Sequence, residues 1–307
     1  MPEFSVIVPC YNCADVIRDT IASLQAQSCK NWEAICVDDG STDKTASILL
    51  DIARQDPRIH VLTQKNAGPS AARNLAACHA KGQKLAFLDA DDLWFTNKLA
   101  YVSKAFQATP KAIAIFGRIA FFRDADGGDY TTSSVRPGPA KAADFMGENP
   151  SCTLSNLSVN RRAFLISGGF DETLRYAEDL EWILRMICKG KTVIATNELH
   201  VRYRASEGGL SADLEAMHSG WRAAVAPARE QLPKKLIARS EATHLRYLAR
   251  RALRMKQPPR VAIDLVSRGM RASPLGFLGG GYRGPLTLLG CLVAPLLPSP
   301  IRHRIFA

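Results

Sequence analysis

The sequence lacks the cysteine pattern that would make a framework or a metal ribbon. Its eight cysteines are scattered over 307 residues, and Cys10-Tyr-Asn-Cys13 has no second CxxC to complete a zinc site. They read as free thiols of a reducing compartment. No secretory leader is expected, because Met-Pro-Glu runs directly into the apolar Phe4–Val8 stretch. The expectation is a cytosolic body, in which the glycosylation-type triplet Asn156-Leu-Ser158 arises by chance. Residues 1–219 hold no GxGxxG and the chain holds no GxxxxGK, which disfavours dehydrogenases and P-loop NTPases.

Acidic residues are almost absent from one end. Residues 220–307 hold 16 basic and 3 acidic side chains, whereas residues 1–219 hold 24 and 26. The net +11 of the chain is therefore a +13 tail on a body of −2. A nucleic-acid argument would have to be made for the tail alone, and none is made for the body. With 47% hydrophobic residues the chain is not disordered. Its length suits one large domain or two smaller ones.

Apolar runs at Phe4–Val8, Glu33–Val37, Ile59–Thr63 and Lys84–Leu88 predict four strands. Between them, Ile17, Ile21 and Leu24 recur at helical spacing. Ser41-Thr-Asp43 starts a helix carrying Ile48, Leu49 and Ile52, and Pro69 opens another that stops near Gly82. Alternating strands and helices predict an α/β fold with a mainly parallel sheet. In such sheets ligands sit beyond the carboxyl ends of the strands. Three polar clusters fall there: Cys10-Tyr-Asn12, Asp38-Asp-Gly-Ser-Thr-Asp43 and Asp89-Ala-Asp-Asp92. Two of them gather carboxylates, which repel unless a cation or donor groups neutralise them. Asp89-x-Asp91 suits a hard divalent ion, Mn²⁺ or Mg²⁺, with positions left for phosphate oxygens.

Val-Pro-Cys-Tyr-Asn12, Val-Asp-Asp-Gly-Ser-Thr-Asp43, Asn66-Ala-Gly-Pro-Ser-Ala-Ala-Arg-Asn74 and Phe-Leu-Asp-Ala-Asp-Asp92 together resemble the family 2 glycosyltransferases of the GT-A fold. Gly168-Gly-Phe-Asp-Glu172 and Ala177-Glu-Asp-Leu-Glu-Trp182 resemble the family's later landmarks, so the likeness covers about residues 3–211. It implies a nucleotide-binding mixed sheet flanked by helices, joined to an acceptor-facing half. By the same resemblance Pro9, Tyr11 and Asn12 line the base pocket, and Asp39 accepts from a uracil N–H. A capped turn using Asp38 or Asp43 is the alternative reading of the second cluster. Arg73, Asp89 and Ala90 would face the nucleotide, with Arg73 near Asp91 or a phosphate. Asp91 would ligate the metal directly, with Asp89 beside it, and Asp92 would cap the next helix.

The resemblance points to Asp179 as general base, with Glu178 the runner-up, at the start of the amphipathic run Trp182–Ile187. Acidic residues there also suit a helix dipole. One base and a metal-bound leaving group fit single displacement with inversion. Ser206 stands where the family often has His, and His200 reads as an ordinary strand residue. Gly208-Gly209 suggests a loop that closes over the donor.

The expected division is a catalytic domain over 1–215 and a basic helical extension over 216–307. Leu245, Leu248, Ala249 and Leu253 among Arg246, Arg250, Arg251 and Arg254 suggest a membrane-surface helix. Gly284–Ile301 is uncharged over 18 residues but holds four prolines, so it reads as interfacial and not spanning. The whole reads as an inverting, metal-dependent glycosyltransferase that uses a UDP-sugar. Its acceptor would be a polyprenol-linked oligosaccharide at the inner membrane surface, in exopolysaccharide or lipopolysaccharide assembly. A β-glucosyltransferase is the specific reading. A sugar-nucleotide nucleotidyltransferase and a non-catalytic scaffold subunit are the alternatives.

Overall fold

The computed structural model describes residues 1–122, 128–129, 131–204, 213–255 and 257–306. Ser206 and Gly208-Gly209 lie outside the described residues. The chain divides into two compact units, Met1–Ala140 with Pro150–Ser206, and Lys141–Asn149 with Glu207–Ala307.

In chain order the elements begin with β1 (Phe4–Cys10), α1 (Ile17–Gln25), β2 (Trp32–Asp38), α2 (Thr45–Gln55) and β3 (Ile59–Thr63). Next come α3 (Pro69–His79), β4 (Lys84–Phe87), β5 (Leu93–Trp94), α4 (Lys98–Ala108), β6 (Ala112–Phe122), β7 (Thr131–Thr132) and β8 (Gly138–Pro139). After α5 (Ala142–Met146), which belongs to the second unit, follow β9 (Ser158–Asn160), α6 (Arg161–Ile166), α7 (Glu178–Cys188) and β10 (Thr192–Arg204).

The strands form one sheet in the order β3-β2-β1-β4-β9-β6-β10-β5, with β7 on β6 and β8 on β10. The first four are parallel, as their apolar runs predict, and β9 enters antiparallel between β4 and β6. Strands β1 and β2 are buried almost throughout, because helices cover both faces of a parallel sheet. Pro69 takes the first helical position of α3, where a missing N–H costs nothing. Gly40 is held at φ 73°, and a Cβ there would meet the Asn66 N–H nitrogen at 2.9 Å. This close approach ties the loop after β2 to the loop before α3.

Asn156 is fully buried. Its amide accepts from Gly117 N–H at 2.9 Å and donates to the Gly117 and Ser151 carbonyls at 2.8 and 3.0 Å. It is therefore a core crosslink and offers no glycosylation acceptor.

The second unit continues with α8 (Leu214–Ala224), α9 (Ala226–Arg229), α10 (Lys234–Arg254), α11 (Pro259–Ala272), α12 (Pro274–Leu278), α13 (Arg283–Val293) and α14 (Ser299–Phe306). Helix α10 is its centre. Leu245, Leu248, Ala249 and Ala252 are buried against α11, α12 and α13, and even Arg246 is buried. This corrects the reading of that stretch as a membrane-surface helix, since the apolar stripe is already covered by protein. Residues 141–149 join this unit through specific bonds. Trp221 Nε1 donates to the Met146 carbonyl at 2.7 Å. Arg246, Arg250 and Arg283 converge on Glu148 at 3.3, 3.5 and 3.5 Å. Among the described residues no helix is long and apolar enough to cross a membrane.

Candidate active site

The site is built at the carboxyl ends of β1, β2 and β4. Asn12, left-handed at φ 47°, clasps the loop after β2. Its Oδ1 accepts from Thr42 N–H at 2.8 Å, and its N–H donates to Ser41 Oγ at 3.0 Å. Tyr11 beside it is about half exposed, and Pro9 is half-buried in register with Val37. Asp39 is buried and already holds three donors: Gln64 Nε2 at 2.7 Å, Ala67 N–H at 2.8 Å and Gly68 N–H at 2.9 Å. A carboxylate offers about four acceptor positions, so Asp39 shapes the loop before α3 and retains room for one further donor.

Arg73, on the buried face of α3, is the centre of the arrangement. Its Nη2 donates to Asp89 Oδ1 and its Nη1 to Glu178 Oε1, both at 2.7 Å. The resemblance placed this side chain near Asp91 or a phosphate; its direct bonds go to Asp89 and Glu178, and its charge also acts on the Asp91 carboxyl. Burial opposes the guanidinium charge, but the two carboxylates outweigh it and hold Arg73 above its ordinary pKa. One fork thus draws together the loop after β4 and the start of α7. Burial and the neighbouring Asp179 push the Glu178 carboxyl up, against the pull of Arg73.

The loop after β4 stands on a second layer that no sequence signal announced. Asp89 N–H donates to Ser155 Oγ at 2.9 Å, and Thr153 Oγ1 lies 3.0 Å from Asp89 Oδ2 and 3.2 Å from Asp92 Oδ2. A hydroxyl has one proton, which Thr153 shares between these two carboxyls. Burial and the charges of Asp91 and Asp89 push the Asp92 carboxyl well above the usual range. Asp92 also accepts from Ser155 Oγ at 2.6 Å and Arg204 N–H at 3.1 Å, and β5 follows it, so it is not a helix cap. Beneath lies Lys98, fully buried, its Nζ bonded to the Ser155 carbonyl and 3.5 Å from the Trp94 ring centre. His200 is buried in β10 with its pKa pulled down to about 3 by burial, as befits a strand residue in the core.

Ala90 gives its carbonyl to Thr20 Oγ1 at 2.7 Å, and Asp91 gives its carbonyl to Arg204 Nε at 2.9 Å. These bonds leave the Asp91 side chain turned to solvent, the exposed member of the three aspartates. Crowding by surrounding protein and repulsion from Asp89 nonetheless push its carboxyl up. A cation there would relieve that repulsion, and the donors are hard oxygens. Among the described residues no group of three His, Cys, Asp or Glu side chains could hold an ion unaided. The residues therefore fit a partial shell completed by phosphate oxygens and water.

Glu178 and Asp179 open α7 after Ala177, whose backbone is left-handed at φ 61°, an unusual state for alanine. Asp179 is half-buried. The helix is fixed from below. Trp182 packs on Phe164 and Phe170, which pack on Phe87 at the end of β4. Asn74 of α3 accepts from Phe170 N–H at 3.0 Å and donates to its carbonyl at 2.9 Å. Gly169, at φ 72°, passes so near that a Cβ would stand 2.5 Å from Asn74 Oδ1. Arg185 closes the turn through the Ser167 and Gly169 carbonyls.

Comparison with known proteins identifies the family and the fold. The sequence profile of the glycosyl transferase family 2 domain matches residues 5–165. The chain is 32% identical over 214 residues to the putative teichuronic acid biosynthesis glycosyltransferase TuaG of Bacillus subtilis, covering 69% of this chain and 82% of that protein. It is 43% identical over 96 residues to WfgD of Escherichia coli, a UDP-Glc:α-D-GlcNAc-diphosphoundecaprenol β-1,3-glucosyltransferase, over 31% of this chain and 37% of WfgD. Among solved structures, Staphylococcus aureus TarS 1–349 in complex with UDP-GlcNAc superposes with a TM-score of 0.65 at 18% identity, covering 96% of this chain and 92% of that one. The sheet order, the helical second unit and these matches agree: the fold is GT-A, and the chain is a glycosyltransferase belonging to family 2.

Proposed function

We propose that this glycosyltransferase inverts the anomeric centre as it moves a sugar from a UDP-sugar to a hydroxyl of a lipid-linked oligosaccharide. The setting is exopolysaccharide or lipopolysaccharide assembly at the inner face of the cytoplasmic membrane, and the specific reading is a β-glucosyltransferase. The observation that carries the reading is the Arg73 fork, which joins the Asp89-x-Asp91 loop to the acidic start of α7. A donor-binding edge and a proton-accepting helix start are thereby held on one rigid frame. TuaG, named for teichuronic acid biosynthesis, and WfgD, named for glucosyl transfer to GlcNAc-diphosphoundecaprenol, support the acceptor class.

In this reading Pro9, Tyr11 and Asn12 flank the base, and the remaining acceptor position of Asp39 takes a base N–H. Asp91, with Asp89 beside it, would hold Mn²⁺ or Mg²⁺. When bound, the ion neutralises negative charge on the departing diphosphate as a Lewis acid. Asp179 removes the proton of the attacking hydroxyl as the new glycosidic bond forms opposite the breaking one. The proton rests on Asp179 and the electron pair leaves with UDP. The family likeness points to Asp179 as the base, with Glu178, which pairs with Arg73, the runner-up.

A panel of UDP- and GDP-sugars, each with Mn²⁺ or Mg²⁺, tests the reading through donor binding and slow donor hydrolysis. UDP-sugars should bind and release UDP; no binding with either ion would overturn it. Asp179→Asn should lower transfer by at least about 10²-fold while donor affinity stays within about twofold. A parallel fall in donor affinity would remove Asp179 from the base role.

A further inference from the structure

We propose that the outer face of α13, continued through the turn at 294–296 and into α14, seats the protein in the surface of an anionic phospholipid bilayer. The inference deepens the lipid-linked acceptor reading by naming the surface that meets the lipid, and it does not depend on the donor chemistry.

Helix α13 has two apolar faces. Gly284, Thr287 and Cys291 lie on the buried one, packed toward the core of the second unit. Tyr282, Leu286, Leu289, Leu292 and Leu296 lie on the other and are between 57 and 80% exposed. Spacings of three and four residues place them in one stripe along the helix. Ile301 and Ile305 continue the exposure on α14. In the first unit the exposed apolar side chains, such as Leu50 and Ile166, stand singly, which needs no explanation. A continuous leucine ridge does.

Charge identifies the occupant. No aspartate or glutamate follows Asp264 in the sequence, while Arg283 at the start of α13 and Arg304 on α14 are exposed, and Arg283 shares the one carboxylate of Glu148 with Arg246 and Arg250. A protein partner of mixed charge would ordinarily be met by balanced signs; a rim where three arginines share one glutamate and Arg304 adds a further cation fits a surface carrying only anions. The geometry also sets the mode of contact. The 11 residues of α13 extend about 16 Å, roughly half of the hydrocarbon thickness, so the helix lies in the interface instead of crossing it. The basic helix α10 takes no part, because its apolar stripe is spent on the core.

The test is flotation of the full chain with vesicles of phosphatidylglycerol and phosphatidylcholine in equal parts, against phosphatidylcholine alone. The expected result is flotation with the anionic vesicles and about tenfold or greater loss of binding for Leu286→Ser/Leu289→Ser/Leu292→Ser. Arg304→Glu should weaken binding in a salt-dependent way, and Leu50→Ser on α2 should leave it unchanged. Donor hydrolysis in vesicle-free solution, equal in all variants, certifies folding and separates this proposal from the catalytic one. Equal flotation with neutral vesicles, or wild-type flotation by the triple variant, overturns the proposal. So does a wild-type dimer in sedimentation that the triple variant converts to monomer, since the ridge would then be a contact between copies.

Discussion

Arg73 shows how much one side chain can organise. It is buried, carries two 2.7 Å ion pairs, and takes them from carboxylates 89 residues apart in sequence, Asp89 and Glu178. A guanidinium can serve both through its planar fork; an ammonium is a point charge that cannot hold the same two directions. Arg73→Lys should therefore fold with nearly native stability yet lose about 10²-fold or more in kcat/KM. Arg73→Met should go further and destabilise by about 3–5 kcal/mol, because two poorly solvated carboxylates lose their partner. Urea unfolding beside steady-state kinetics on both variants separates positioning from stability. Equal kinetic loss without any stability difference would mean that Arg73 acts on substrate directly. The sequence made Arg73 a candidate through its motif, but not its partners. Asp89 was legible as part of a DxD, whereas Thr153, Ser155 and Lys98 beneath it were not. A threonine, a serine and a lysine in unremarkable contexts announce nothing until the fold stacks them under the loop.

Among the elements, the first four strands and three helices stood nearly where the apolar runs put them, since buried parallel strands need continuous apolar sequence. Strand β9 was not legible: three residues, Ser158–Asn160, gain their strand character only from antiparallel pairing to β4 and β6. Helix α10 was legible as a helix but not as a core, because amphipathicity records an apolar face and not what covers it. The Gly168–Glu172 turn illustrates the converse, a motif whose role is structural. Gly169 must be glycine on two counts, its positive φ and the 2.5 Å approach of Asn74 Oδ1 to a hypothetical Cβ. Gly169→Ala should cost about 1–3 kcal/mol, and Asn74→Ala a similar amount by leaving Phe170 N–H and carbonyl unpaired. Because both changes break one junction, their effects should fall short of additivity by at least about 0.5 kcal/mol in a double-mutant cycle read by urea denaturation. Additive losses would show that the turn and the helix are held independently.

At the scale of the whole molecule, the +11 of the sequence is the sum of two unlike parts, a near-neutral stretch of residues 1–219 and a strongly cationic one of residues 220–307. What both share is a buried neutral histidine. His200 in the first unit and His244 in the second each have a pKa pulled down to about 3, with burial the leading cause. His244 is stacked 5.0 Å from Trp221 and 5.6 Å from His218, which burial also lowers and which faces Glu241 at 3.7 Å. The ordinary histidine pKa is about 6.5, so between pH 6.5 and about 3 the unfolded chain binds a proton that the folded chain refuses. Stability contributed by the neutral ring is complete above about pH 6.5 and falls as pH drops, by about 1.4 kcal/mol per pH unit for each histidine. His244→Phe keeps an aromatic ring in the stack and removes the titration. Relative to wild type, the variant should gain stability steadily as pH is lowered from 6.5 to 5, while the difference between the two stays constant from pH 7 to 8. Denaturant unfolding of both proteins across that range measures the difference directly, and a gap independent of pH below 6.5 would mean that His244 is protonated in the fold.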